Sequence, residues 1–336
     1  MEHTLLAPGG RALTYLRLSV TDLCNLRCRY CMPPEGVTKL SHSDILTYEE
    51  ALRLLRVASS LGMDKLRFTG GEPLVRRGLT SFVKRVNDEG LFSQMRLTTN
   101  GVLLAPLAAD LKAGGVQGLN ISIDALEPDV YAEMVGMGGE SGRKLFRQAW
   151  GGFMAALEYG FTTKLNCVPI RGRNDSQILP LARLALEYPV TVRFIEHMPI
   201  GPDGIWKESA FISASELKET IEKEFGPLTW LEPEYPSAPA RLFKPRGAPG
   251  AIGFISALSR HFCADCNRLR LTADGRLKPC LLTEREFDLR GPLRHGTDDE
   301  ELRNLFLEAA GRKPISHQSA ETVQTDCRRQ MSRIGG

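Results

Sequence analysis

Short β-branched or aromatic runs alternate along the chain with stretches in which apolar residues recur every three or four positions. The runs at 14–20 (TYLRLSV), 64–70 (DKLRFTG), 95–100 (MRLTTN), 118–124 (GLNISID), 162–170 (TTKLNCVPI) and 190–199 (VTVRFIEHMP) predict strands. Helical patterns lie between them at 47–62, 78–90, 103–115, 141–160 and 175–188, and a sixth at 213–226 follows the last run. Six strand–helix units predict an α/β fold with a parallel sheet and helices outside. They are too few for a closed eight-stranded barrel. A partial barrel and an open doubly wound sheet both fit the pattern.

The pattern changes after Gly226. Residues 227–250 carry six prolines and read as an extended segment or linker. An amphipathic helix with an acidic start is expected at 297–312, and the last 24 residues are polar and end in IGG. The division this suggests is residues 1–226 and residues 227–336.

Composition narrows the class. The 336 residues are 42% hydrophobic and 25% charged, which predicts a water-soluble protein with a substantial core. No apolar run approaches the roughly 20 residues of a membrane span, and no basic-then-apolar leader opens the chain. A membrane location and export are not expected. The net charge is +3, without a basic stripe, so a nucleic-acid partner is not expected either. Six of the eight cysteines fall in two sets, Cys24, Cys28, Cys31 and Cys263, Cys266, Cys280, with Cys167 and Cys327 alone. Such spacing reads as metal binding rather than disulfides.

The first set, CNLRCRYC, directly follows the first strand, where a parallel sheet places its chemistry. Three thiolates at this spacing suit either a [4Fe–4S] cube with one iron open or a zinc site with a distant fourth ligand. TGGEP (69–73) follows the second strand. Its glycines let backbone carbonyls approach a cation, and Glu72 adds negative charge. Other strand ends carry Thr98, Thr99 and Asn100, then Ser122 and Asp124, Asn166, and Glu196 with Met198. Their recurrence at one end predicts a shared site.

Arg17, Arg67, Lys164 and Arg193 sit inside strands between apolar neighbours. Period-two alternation turns them away from the helices, and burying them without anions is costly. Either Glu72, Asp124 and Glu196 neutralise them, or a polyanionic substrate does, for which arginine is suited. Arg268 and Arg270, inside the second cysteine set, would extend the patch. That set, like the first, is three cysteines; structural zinc completed by Cys327 or His261 is the alternative to a metal open to substrate.

C-x3-C-x2-C with Tyr30 before its last cysteine, followed by GGEP, resembles the radical S-adenosylmethionine enzymes. VTDLCNLRCRYCMP, RFTGGEPLVR, TTNG, NISIDA, RFIEHMPIG, FCADCNRLRLTADGRLKPCLL and the terminal IGG together resemble the GTP 3′,8-cyclases of molybdenum cofactor biosynthesis, from Arg17 to Gly336. The resemblance implies an incomplete (β/α)6 TIM-like barrel with a C-terminal extension carrying a second iron–sulfur cluster and a Gly-Gly tail that reaches back to the site. It implies two [4Fe–4S] clusters, on Cys24, Cys28 and Cys31 and on Cys263, Cys266 and Cys280, with guanine on the open iron of the second. It implies S-adenosylmethionine contacts from Tyr30, Gly71, Ser122 and Met198. GTP contacts are implied for Arg17, Arg67, Thr98, Lys164, Arg268 and Arg270, with Arg193 near by. The implied reaction takes the ribose C3′ hydrogen of GTP and joins C3′ to C8, with Arg17 and the first three cysteines counted as catalytic. The implied partners are an external one-electron donor and a downstream cyclic pyranopterin monophosphate synthase, for a cytoplasmic monomer or homodimer. A radical peptide-modifying enzyme and a non-catalytic zinc or iron–sulfur protein are the alternatives.

Overall fold

In the computed structural model, residues 4–200, 206–233, 235–316 and 331–335 are described. A small hairpin, β1 (Leu6–Ala7) and β2 (Arg11–Ala12), precedes the six expected strands. These are β3 (Tyr15–Ser19), β4 (Lys65–Thr69), β5 (Gln94–Thr99), β6 (Gly118–Ser122), β7 (Thr162–Cys167) and β8 (Thr191–Ile195). Their helices are α1 (Tyr48–Ser60), α2 (Leu79–Asp88), α3 (Ala108–Ala113), α4 (Pro128–Met134), α5 (Gly139–Glu158), α6 (Ile178–Glu187) and α7 (Ala214–Phe225). Local chemistry sets several boundaries. Thr47 and Glu50 close a capping box at the start of α1. A 3-10 turn containing Pro106 delays α3, which starts five residues later than the pattern suggested. The helices α1, α2, α5, α6 and α7 fall within three residues of the expected bounds, while α4, started by Pro128, adds to the fourth unit a helix that the apolar period alone did not reveal.

The C-terminal part contributes β9 (Thr229–Leu231), β10 (Arg241–Lys244), β11 (Ala251–Ile255), β12 (Arg268–Leu271), β13 (Arg276–Lys278) and β14 (Phe287–Asp288). The helices α8 (Arg290–Arg294), α9 (Asp299–Gly311) and α10 (Met331–Ile334) follow. The described strands beyond the hairpin form one sheet in the order β14-β13-β12-β3-β4-β5-β6-β7-β8-β11-β10-β9. Neighbouring strands from β3 to β8 are parallel. The sheet does not close: this is an incomplete (β/α)6 barrel whose two edges are extended by later chain. β12 pairs parallel with β3 and β11 parallel with β8, while β13, β14, β10 and β9 add antiparallel ribbons. The proline-rich stretch expected as a linker therefore holds two short strands. Both lie between its prolines, where each backbone N–H is still available to the ladder.

Alternation divides each strand between two surroundings. Leu16, Leu18, Leu66, Phe68, Met95 and Leu97 are buried with helix residues such as Leu52, Leu55, Phe82 and Val83 in one core. The residues between them face the hollow of the sheet and are mostly polar. No helix among the described residues is long and apolar enough to cross a membrane.

Candidate active site

The register of the parallel strands builds the interior in rows. Arg270, Arg17, Arg67 and Arg96 stand opposite one another on β12, β3, β4 and β5. One row nearer the N-terminal strand ends are Arg268, Tyr15, Lys65 and Gln94. One row nearer the C-terminal ends, Ser19 pairs with Thr69, and Thr98, Asn120 and Lys164 follow one another on β5, β6 and β7. Beyond them lie Ser122, Asn166 and Arg193. Side chains of successive strands at one level share a face, so four arginines form a ladder across the wall of a cavity of about 460 Å³.

Parallel pairing also sets where the cysteines go. Cys24, Cys28 and Cys31 follow the C-terminal end of β3. Cys263 and Cys266 precede the N-terminal end of β12, which runs alongside in the same direction. Cys280 follows β13, whose antiparallel run returns it to that same end. The two sets therefore border opposite ends of the cavity, separated by the five residues of β3, about 16 Å. All six cysteines line it, as do Tyr30, Gly71, Ser122, Met198, Arg17, Arg67, Thr98, Lys164, Arg193, Arg268 and Arg270. Every site residue expected from the sequence is thus brought to one chamber, except Glu196.

Glu196 is the correction. Its buried carboxylate accepts hydrogen bonds from Ala214 N at 3.0 Å, Leu258 N at 2.8 Å, Ser259 N at 2.9 Å and the Ser259 hydroxyl. It fastens the end of β8 to the start of α7 and to the chain after β11. It neither lines the cavity nor neutralises a strand cation. Glu72 is committed in a similar way. Its Oε1 accepts from Leu74 N at 3.1 Å and Thr99 Oγ1 at 2.8 Å, and its Oε2 from Asn100 N at 2.7 Å. Burial pushes it up to about 7, against those hydrogen bonds. Asp124 accepts from Val168 N at 2.8 Å and from the Tyr30 hydroxyl at 2.8 Å, and burial raises it to about 6. These carboxylates hold loops in place, and the ion-pair alternative for the strand cations gains no support from them.

The glycines of TGGEP answer to a contact the sequence did not reveal. Gly71 N donates to Thr21 O at 2.8 Å and Glu72 N to Leu23 O at 2.7 Å. A Cβ on Gly71 would lie 2.7 Å from Asp22 O and closer still to Leu23 O. The turn is pressed against the backbone that leads into Cys24.

At the first cysteine set, Cys24 Sγ accepts from Leu26 N at 3.4 Å, with Asn100 Nδ2 4.0 Å away. Burial holds the thiols up, Cys24 at about 11 and Cys31 at about 12, and Cys28 is raised further by Asp124, Cys31 and Cys24. Thiols that raise one another stand in mutual range, and binding iron ionises such a group outright. At the second set, burial acts against Cys266 ionising, yet Arg268 and Lys313 together hold it down at about 6. Among the described residues no three His, Cys, Asp or Glu side chains converge on a single ion. The cysteines of a cube each bind a different iron, and two walls of three cysteine thiols with N–H and cationic neighbours fit such groups. Cys327 lies outside the described residues. Cys167 is buried behind Asp124, 3.8 Å from its carbonyl oxygen, and does not enter the chamber.

The cations are crowded. Burial first, then Arg270 and other neighbours, pull Arg17 well down, and Arg193 and Arg270 fall to about 9 and about 10. Arg193 donates to Asn166 Oδ1 at 2.9 and 2.6 Å. Among the described residues the buried Nη2 of Arg268 has no hydrogen-bond partner. Arg270 Nη1 donates to Gly335 O at 2.7 Å. Gly335 has φ +77°, and a Cβ there would meet Thr69 Oγ1 at 2.5 Å, while Ile334 is buried beside Ile200 and Leu282. The tail expected to reach back is docked in the site as far as Gly335; Gly336 lies outside the described residues. Sequence reasoning overlooked Tyr15, Lys65, Arg96 and Lys313. The signal for Arg96 was present, since MRL repeats the pattern of LRL and LRF. Lys313 had none, because it is a lone lysine after α9 that donates to Arg268 O and Pro279 O, each at 2.8 Å.

Residues 18–185 match the Radical SAM superfamily and residues 190–319 match Molybdenum Cofactor Synthesis C. A GTP 3′,8-cyclase of Desulforamulus reducens is 44% identical over 97% of this chain and 98% of its own. That of Pelotomaculum thermopropionicum is 45% identical with the same coverage. In fold, the chain is similar to Streptococcus suis SuiB bound to S-adenosylmethionine, with a TM-score of 0.53 at 15% identity, over 85% of this chain and 64% of that one. By identity and coverage along its length, the chain belongs to the GTP 3′,8-cyclase family of radical S-adenosylmethionine enzymes.

Proposed function

We propose that this enzyme cyclises GTP to (8S)-3′,8-cyclo-7,8-dihydroguanosine 5′-triphosphate, the first step of molybdenum cofactor biosynthesis. The observation that carries the reading is the arginine ladder between two three-cysteine walls. When bound, S-adenosylmethionine and the first [4Fe–4S] cluster supply one-electron cleavage and the carbon radical that takes the C3′ hydrogen. The chain's part is to hold both reactants in line and away from water.

In this reading Cys24, Cys28 and Cys31 hold the first cluster. Tyr30, Gly71, Ser122 and Met198 hold S-adenosylmethionine at the C-terminal mouth. Tyr30 is braced by Asp124, and the turn at Gly71 is braced by the backbone before Cys24. Cys263, Cys266 and Cys280 hold the second cluster and leave one iron open to guanine. Arg17, Arg67, Thr98, Lys164, Arg268 and Arg270 take the triphosphate, with Arg193 beside them, and the orphaned Nη2 of Arg268 is a donor in need of an acceptor. Residues 1–226 thus supply the radical source and, through Arg17, Arg67, Thr98 and Lys164, part of the triphosphate site, while residues 227–336, with the Gly-Gly tail, supply the second cluster and the rest of the substrate end. An external one-electron donor, a reducing cytoplasmic setting and hand-off to a pterin synthase complete the proposal.

Anaerobic reconstitution with iron and sulfide, then incubation with S-adenosylmethionine, reductant and GTP, tests it by mass analysis. The expected product has the mass of GTP, lacks the ribose C3′ proton signal and carries its C8 proton on a saturated carbon. Zinc without sulfide, or turnover of a peptide in place of GTP, refutes it.

A further inference from the structure

Tyr15 has no part in the reading above. It opens β3 with its side chain on the chamber face, and its cross-strand neighbours are Arg268 on β12 and Lys65 on β4. Its hydroxyl meets Arg67 Nε. Lys65 Nζ lies 5.6 Å and Arg67 Cζ 5.9 Å from its ring centroid. Arg17 lies two residues along the same strand and faces the same way. Arg270 on β12 and Arg193 on β8 also act on it electrostatically. Tyr235, on the far side, covers Lys65 at 4.5 Å. Among the described residues that line the chamber, the carboxylates Glu72 and Asp124 are committed to loop hydrogen bonds, and the thiols of Cys266 and Cys280 act on Arg270 from the other side.

We propose that Tyr15 is the resident counter-anion of the arginine ladder, a phenolate before substrate arrives, which takes a proton from solvent when the substrate's phosphates dock on the same guanidiniums. Burial alone would hold this phenol above its ordinary value. Arg67, Arg17 and Arg268 reverse that and bring it to about 7. Phosphates on those cations remove their pull and add like charge, and both changes favour the neutral phenol. No heavy-atom bond changes. The inference rests on the proposal that the ladder holds the triphosphate.

The test is calorimetric binding of GTP to the anaerobic holoenzyme without S-adenosylmethionine, at pH 8, in two buffers of different protonation enthalpy. The terminal phosphate is already ionised there. Wild type is expected to take up close to one proton and Tyr15→Phe none. GTP affinity of wild type should fall about tenfold per pH unit above 7, with a flat profile in the variant. A tyrosinate absorbance band titrating near pH 7 before GTP is added, absent in Tyr15→Phe, reports the phenolate by itself. Binding without proton uptake by wild type overturns the proposal whether or not the variant folds, and so does equal uptake in both. Absence of GTP binding to wild type refutes the ladder's assignment, whereas a normal tyrosinate band in that case isolates the failure to the substrate.

Discussion

Gly71→Ala probes whether the GGEP turn works by packing against the cysteine loop. The added Cβ would lie 2.7 Å from Asp22 O, with Leu23 O nearer. Both atoms are backbone, so no side chain can swing aside. Ordinary contact needs roughly 3.4 Å, and relief requires a shift of about 1 Å between the turn and residues 22–23. Overpacking of this kind costs about 1–3 kcal/mol. If the shift also breaks Gly71 N to Thr21 O and Glu72 N to Leu23 O, each lost bond adds about 1 kcal/mol. For a chain this long, a total of about 3–5 kcal/mol corresponds to a fall of roughly 4–7 °C in the apo-protein's melting midpoint. The functional effect is larger. Leu23 adjoins Cys24, so the shift moves a cluster ligand relative to the S-adenosylmethionine site, and a 1 Å displacement costs on the order of a hundredfold in rate. Gly70→Ala is the milder control, since its Cβ would meet one carbonyl, Thr21 O, at 2.8 Å and a methyl at 3.2 Å. The assay pairs melting with anaerobic S-adenosylmethionine cleavage and iron content. Cleavage within threefold of wild type in Gly71→Ala, with an unchanged midpoint, would refute the packing argument.

Cys280→Ser should lower iron from about eight to about four per chain, retain some S-adenosylmethionine cleavage and abolish the cyclised product; full cyclase turnover would remove guanine from the second cluster. Glu196→Ala strands three backbone N–H groups and a hydroxyl, and should cost roughly 3–5 kcal/mol in chemical denaturation, while the folded fraction keeps its GTP affinity. Glu72 titrates at about 7 in the fold, above its ordinary value of 4.5. Its contribution is therefore fully present below pH about 4.5 and is lost as pH rises through 7, by roughly 3 kcal/mol in all. Glu72→Gln cannot ionise, so the fall in its apo-protein stability between pH about 4.5 and 7 should be shallower by about 1.4 kcal/mol per pH unit, with the slope due to Asp124 remaining; an unchanged pH slope would exclude Glu72 as a titrating group.

The six central strands were legible because one face of each packs on helices and the other lines the chamber, which imprints period two on the sequence. The same imprint put Arg17, Arg67, Lys164 and Arg193 on the chamber side. It also marked Arg96 and the pair Arg268 and Arg270, whose LRL stretch is β12. What it could not show was that β12 lies beside β3, since that pairing joins residues about 250 positions apart and leaves no local trace. Glu196 was misassigned for a related reason. A carboxylate at a strand end looks the same in sequence whether it faces a cavity or accepts from the N-terminus of the next helix. The 227–250 stretch hid β9 and β10 because its prolines were read as a property of the whole segment, whereas they only bracket two runs of three and four residues.

The pairing of β12 with β3 explains why this site needs its C-terminal region on the same sheet. A loop after β3 can only be reached from the C-terminal end of the barrel, so the first three cysteines and the GGEP turn cluster there. To set a second three-cysteine wall at the other end, the chain must enter a parallel neighbour of β3 from below. The approach to β12 carries Cys263 and Cys266, and the antiparallel return of β13 brings Cys280 to the same level. The two strands that carry the walls then also carry Arg17, Arg268 and Arg270 between them, in register. Spacing between the walls is therefore fixed by strand length rather than by loop conformation. A one-residue slip of β12 against β3 would turn Arg268 and Arg270 into the helix layer and Leu269 into the chamber, so the cation ladder and the distance between the cysteine walls stand or fall together.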